Sequence, residues 1–86
     1  MPYIKKDDRG VLDPFIEDLS RNMLAEPGQL NYVITKLLLK YLKACGLRYK
    51  SVNEIMGVLS CVTQEFYRRV VVPYENKKRD ENGDVF

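Results

Sequence analysis

The chain reads as an all-α protein: a small bundle of three main helices plus a short C-terminal helical turn or tail, assembled into a homo-oligomer. Three observations lead there. Strand signals are poor, because the only run of β-branched residues, Val70-Val71-Val72, stops at Pro73. Apolar residues recur at i, i+3, i+4, i+7 through three segments. Start and stop residues bracket those segments, with proline near the start and glycine past the end. At 86 residues, the sequence predicts one domain spanning 1–86, since a second core would need roughly twice the length.

Residues 1–12 read as an N-terminal arm. The first helix, 13–25, has its start at Asp13-Pro14, a capping acid followed by a proline whose missing N–H costs nothing there. Ile16, Leu19 and Met23 form its stripe, which fades near Ala25 ahead of Pro27. The second helix, 28–45, opens at Pro27-Gly28 and carries the strongest periodicity in Leu30, Val33, Ile34, Leu37, Leu38, Tyr41, Leu42 and Cys45. That stripe covers about half the circumference, enough for two neighbours, so the helix reads as central. Gly46 supplies its left-handed stop, and Lys40 and Lys43 suit the negative end of its dipole. The third helix, 52–72, starts at Ser51-Val52-Asn53-Glu54, the pattern of a capping box with Ser51 as the cap. Val52, Ile55, Met56, Leu59, Val62, Phe66 and Val70 make its stripe until Pro73 ends or kinks it. On its other side Gly57, Ser60, Cys61 and Gln64 form a small-residue patch that lets a second helix come close, a hint of self-association. In the tail, 73–86, one or two further helical turns precede the turn dipeptide Asn82-Gly83, and Val85-Phe86 is apolar enough to dock on a core or a neighbouring subunit.

Composition excludes several classes. Hydrophobic residues at 45% and charged residues at 30% describe an ordinary globular chain rather than a disordered one. Leu37-Leu38-Leu39 is as long as an uninterrupted apolar run gets, against the roughly 20 residues of a bilayer span. With charge from Lys5 onward and no apolar signal region, the expected location is the cytoplasm, with no membrane partner. Histidine is absent, which removes the commonest general base and metal ligand. Cys45 and Cys61 lack metal-ligand spacing and read as buried, reduced thiols, so no metal and no cofactor is expected. The net charge of +2 is small, but it is sorted: residues 27–50 hold five bases and no acid, and residues 66–79 five bases against Glu75, ahead of an acidic end at Asp80, Glu81 and Asp84.

The densest polar constellation is Glu65-Phe66-Tyr67-Arg68-Arg69, continuing to Tyr74 and Lys77. On a helix Glu65 lies i, i+3 to Arg68 and i, i+4 to Arg69, so it can hold one guanidinium and leave the other free for a phosphate or carboxylate. Tyr67 and Tyr74, seven apart, offer faces on which a base can stack. The same residues also suit plain surface ion pairs and interface tyrosines. Asn31 and Tyr32, beside the free N–H groups opening the second helix, form a smaller anion candidate, with an ordinary helix start the favoured account. Tyr32 and Leu39 sit off the main stripe and suit an interface. The Glu-x-x-Glu ligands of helical nucleotide pyrophosphohydrolases are missing, Ser20 and Ser60 have no adjacent base, and no Gly-rich phosphate loop occurs, so no catalytic residue is expected.

Met1-Pro2-Tyr3-Ile4-Lys5, Gly28-Gln29-Leu30-Asn31-Tyr32, Gly57-Val58-Leu59, Glu65 to Val71, Pro73-Tyr74-Glu75 and Asn82-Gly83-Asp84-Val85 resemble, over essentially the whole chain, a family of small uncharacterised proteins encoded by bacteriophages and prophages. The resemblance implies a bacterial cytoplasm under viral influence and brings no activity, cofactor or structure with it. By analogy with that setting, the leading expectation is a non-catalytic binding protein. It would sequester a small anionic ligand, a nucleotide or cyclic nucleotide immune signal, in pockets at subunit interfaces. Arg68, Arg69, Tyr67, Tyr74, Lys77, Asn31 and Tyr32 would line them. A module docking on a host or phage protein through Tyr32/Leu39 or Gly57/Cys61 is the second reading. A nucleic-acid-binding module is the third; it needs one continuous basic stripe, and the acidic end argues against it.

Overall fold

The computed structural model describes residues 3–22 and 25–86. The chain divides into two units, Met1–Gly46 and Leu47–Phe86. Every regular element among the described residues is helical, with no strand.

In the first unit a 3-10 turn, Lys6–Asp8, closes when the Asp8 N–H donates to the Lys5 carbonyl at 2.9 Å. It packs on α1, Arg9–Asn22. The helix thus begins four residues ahead of the expected Asp13, and much of the expected arm is helical. Asp7 and Asp8 supply the negative charge that favours a helix start, and Arg9 Nε reaches the Ile4 carbonyl at 3.4 Å. Pro14 consequently lies inside α1, where its missing N–H leaves the Gly10 carbonyl without the usual i−4 donor. Ile16 and Leu19 are exposed; Met23, the third member of their stripe, falls outside the described residues.

Glu26 is extended and Pro27 takes the first position of α2, Pro27–Cys45, as its sequence signals predict. Gly46 ends it at φ 87° and ψ 149°, a conformation essentially restricted to glycine, and donates its N–H to the Leu42 carbonyl at 2.7 Å. Of the eight stripe residues Val33, Leu38, Leu42 and Cys45 are half-buried, and Leu30, Ile34, Leu37 and Tyr41 are exposed.

The second unit is an uninterrupted helical run: α3, Tyr49–Phe66, a π turn, Tyr67–Val71, and α4, Val72–Asn82. At 1.5 Å per residue it is about 50 Å long. Two expectations are corrected here. The capping box does not form: extended Arg48 precedes the helix and its carbonyl takes the Val52 N–H at 3.0 Å, so the helix starts before Ser51. Ser51 instead sits inside the first turn, 2% exposed and the one buried residue among those described. Glu54 forms an ion pair with Lys50 at 4.0 Å.

Nor does Pro73 end the helix. The Val72 N–H bonds back five residues to the Tyr67 carbonyl, which takes one extra residue into the turn. Pro73 then falls in the first turn of α4, just past the widened turn, where its missing N–H leaves a carbonyl of the preceding turn without a backbone donor. The tail is therefore helical to Asn82, where Gly83 at φ 88° stops it and donates to the Arg79 carbonyl at 2.8 Å. Val85 and Phe86 do not dock on a core of their own chain; both are exposed, with the Phe86 N–H held by Asp84 Oδ1 at 2.9 Å.

Among the described residues no apolar side chain is buried, so the expected core is not assembled within either unit. Cys45 is half-buried and Cys61 exposed, both free thiols, which corrects the expectation that both are buried. Cys61 is exposed because it lies off the apolar side of α3, near Gly57, beside which a Cβ would meet nothing within 4 Å.

Gly46→Ala forces an L side chain into a backbone region it rarely adopts. It is expected to lower stability by about 1–3 kcal/mol, read as a reduced urea midpoint, whereas Gly57→Ala, in open space within a helix, raises it.

Candidate functional site

Five of the seven candidate residues, Tyr67, Arg68, Arg69, Tyr74 and Lys77, lie on the second unit; Asn31 and Tyr32 lie on α2 of the first. The π turn carries the two arginines, one turn past Glu65. Glu65 Oε2 accepts from Arg68 Nη2 at 2.8 Å and Oε1 from Arg69 Nη1 at 3.4 Å. The sequence expectation that one arginine is held and the other left free is thus corrected: each carboxylate oxygen takes one guanidinium. The cause is the spacing itself, since i+3 and i+4 both return to the same side of a helix.

Both guanidiniums stay accessible, with side chains 68% and 66% exposed, while Glu65 is about half as exposed. Hydrogen bonding and nearby positive charge, with the bond from Arg68 foremost, hold the Glu65 carboxyl far below its ordinary range, at about 2. The trio is therefore fixed at a net charge of +1 at neutral pH, and each guanidinium spends one N–H of five on Glu65, which leaves donors for an outside anion.

The tyrosines are arranged differently from the sequence expectation. In an unbroken helix seven residues nearly complete two turns, which would put Tyr67 and Tyr74 in one row. The extra residue of the π turn removes about 100° of rotation between them. Tyr74 is instead flanked by Lys78, whose Nζ lies 5.7 Å from its ring centroid. Lys77 is exposed on the same helix.

On α2, Asn31 Oδ1 accepts from Thr35 Oγ1 at 3.3 Å, and Lys36 Nζ stands 5.7 Å from the Tyr32 ring centroid. The helix start offers fewer donors than expected. Pro27 has none, and the N–H groups of Gln29 and Leu30 both go to the Glu26 carbonyl, at 3.1 and 3.3 Å. Gln29 Oε1 is buried there without a hydrogen-bond partner, a feature nothing in the sequence signals.

Sequence reasoning also missed an open groove of about 480 Å³ at the end of α4, lined among others by Glu75, Lys78, Arg79, Asn82 and Phe86. The five candidates on this unit lie outside it. The apolar Val85-Phe86 ending was its one visible signal. Among the described residues no group of three His, Cys, Asp or Glu side chains could hold a metal ion, and no helix is long and apolar enough to cross a membrane.

These elements define an all-α protein with three main helices and an exposed, carboxylate-anchored arginine pair. The chain belongs to the family described as a domain of unknown function, DUF6899, whose model matches residues 1–85. No curated protein and no solved structure matched it.

Because the Glu65 pKa is lowered from 4.5 to about 2, the charged pair with Arg68 is intact above pH 4.5 and is lost as the pH falls through about 2. Carboxyl-carbon NMR should follow Glu65 titrating near 2, and Arg68→Ala should move it upward.

Proposed function

We propose that this protein is a non-catalytic binding protein of a phage-influenced bacterial cytoplasm, which sequesters a small anionic ligand, a nucleotide or cyclic nucleotide, between copies of itself. One observation carries the reading: a single carboxylate presents two guanidiniums in one turn while both remain open to solvent. An arginine so anchored is oriented before a ligand arrives, which reduces the entropy lost on forming a bidentate contact to phosphate. Tyr67, exposed beside them, supplies a stacking face. Tyr74 and Lys77, on α4, and Asn31 and Tyr32, on α2, contribute through other copies or other faces.

A second reading, docking on a host or phage protein, is favoured by Tyr32 and Leu39. Both are exposed, off the main stripe of α2, and Tyr32 is braced by Lys36. A large exposed aromatic held by a neighbour is a common anchor of protein interfaces.

Thermal unfolding against a panel of nucleotides and cyclic nucleotides tests the first reading. A true ligand at a hundredfold its Kd stabilises by about 2.7 kcal/mol. Arg69→Ala should abolish the shift in Tm and leave the circular dichroism spectrum unchanged. If no member of the panel shifts Tm, the capture reading is wrong. The docking reading instead expects a stoichiometric partner from host lysate that is lost with Tyr32→Ala/Leu39→Asp and retained with Arg69→Ala.

A further inference from the structure

The C-terminal end of α4 brings together an amide and a backbone nitrogen that can react with each other. Asn82 is the last residue of that helix, and Gly83 is the residue that stops it. The chain's other asparagines, Asn22, Asn31, Asn53 and Asn76, are each followed by a residue that carries a side chain, which hinders approach to the next backbone nitrogen. Gly83 carries none, and a Cβ built on it would meet nothing within 4 Å, so the space around its nitrogen is open.

One hydrogen bond restrains the pair. The Gly83 N–H donates to the Arg79 carbonyl at 2.8 Å, and while it does so the nitrogen is not free to act as a nucleophile. That bond closes a weakly held turn. Lys77 to Asn82 are all exposed, and the ion pairs of this stretch, Lys78 with Glu81 at 3.3 Å and Arg79 with Asp80 at 3.8 Å, are of the exposed kind that adds little. Among the described residues no apolar side chain is buried against it. Helix ends of this kind open at the lowest free energy in a fold.

We propose that Asn82-Gly83 is a self-modification site, at which the chain loses the Asn82 amide and thereby releases the stop of α4. When the turn opens and the Gly83 nitrogen gives its proton to solvent, that nitrogen attacks the side-chain carbonyl carbon of Asn82. A bond forms between Gly83 N and Asn82 Cγ, the bond from Cγ to the amide nitrogen breaks, and the amide leaves as ammonia after taking a proton from solvent. The product is a five-membered succinimide. One water then opens the ring at either carbonyl and leaves aspartate or isoaspartate at position 82, with no change of oxidation state.

Each product weakens the helix end. The succinimide has no N–H at Gly83 to donate to Arg79. After hydrolysis a carboxylate stands at the negative end of the helix dipole, beside Asp80, Glu81 and Asp84. In the isoaspartate form an extra backbone atom precedes Gly83, so the cap cannot close in its old register. Asn82 and Gly83 also line the groove at the end of α4, whose wall is lost with that turn. None of this involves the arginine pair.

Full-length protein is held in warm, mildly alkaline buffer, folded or unfolded in urea, and sampled by peptide mass mapping and enzymatic methyl labelling of isoaspartate. The folded chain is expected to gain one mass unit at residue 82, with isoaspartate exceeding aspartate, more than tenfold faster than at Asn53 or Asn76. Urea, which removes the bond to Arg79, is expected to raise the rate severalfold. Asn82→Gln should lose the mass gain and keep the circular dichroism spectrum. The isoaspartate fraction should lose hydrogen-exchange protection at the Gly83 amide. No gain at residue 82 in the folded protein overturns the proposal, whatever the unfolded chain does, and so does a gain spread evenly over the asparagines. An unchanged rate in urea means that the bond to Arg79 is not the restraint, and retained protection at Gly83 means that the stop is not released; either result overturns that half of the proposal.

Discussion

Proline at position 73 has no N–H to give, and a helix that meets it must stop, kink or re-register. This one re-registers. The Val72 N–H reaches back to Tyr67 rather than to Arg68, one residue is absorbed, and Pro73 passes into the opening turn of α4. Everything distinctive about the second unit follows from that choice: the helix continues to Gly83, the two arginines sit on the wide turn, and Tyr74 is rotated out of line with Tyr67 and into line with Phe66.

The chemistry of the same turn is set by one carboxylate. Glu65 lies at the two spacings that return to its own face, so it takes Arg68 and Arg69 together. An exposed ion pair adds little to stability, because both partners are well solvated and long side chains lose entropy when fixed. Its consequence is positional. Two forks of donors are oriented outward by a group that stays ionised far into acid, and the local charge remains positive at neutral pH. That is a surface suited to anions, whether on a ligand or on another copy of the chain.

Among the described residues no apolar side chain is buried, so each unit leaves its apolar stripe uncovered within itself. Amphipathic helices are held in water mainly by covering their apolar stripes, and neither unit covers its own.

Much of this was legible in the amino-acid sequence alone, because it depends on residues near one another in the chain. The all-α class, the limits of α2 at Pro27 and Gly46, the turn at Gly83 and the nearness of Glu65 to Arg68 and Arg69 all come from spacings of one to four residues, although the sequence left one arginine free where the structure binds both. Other features escaped for equally local reasons that compete with one another: Asp7 and Asp8 started α1 before Asp13 could, and Arg48 opened α3 ahead of Ser51. Only the three-dimensional structure decided that Pro73 would be passed through by a π turn, which apolar residues would stay uncovered, and that Gln29 Oε1 would be buried without a partner. Those outcomes depend on how a whole helix resolves a missing hydrogen bond and on what lies against each face. No short window of residues contains that information.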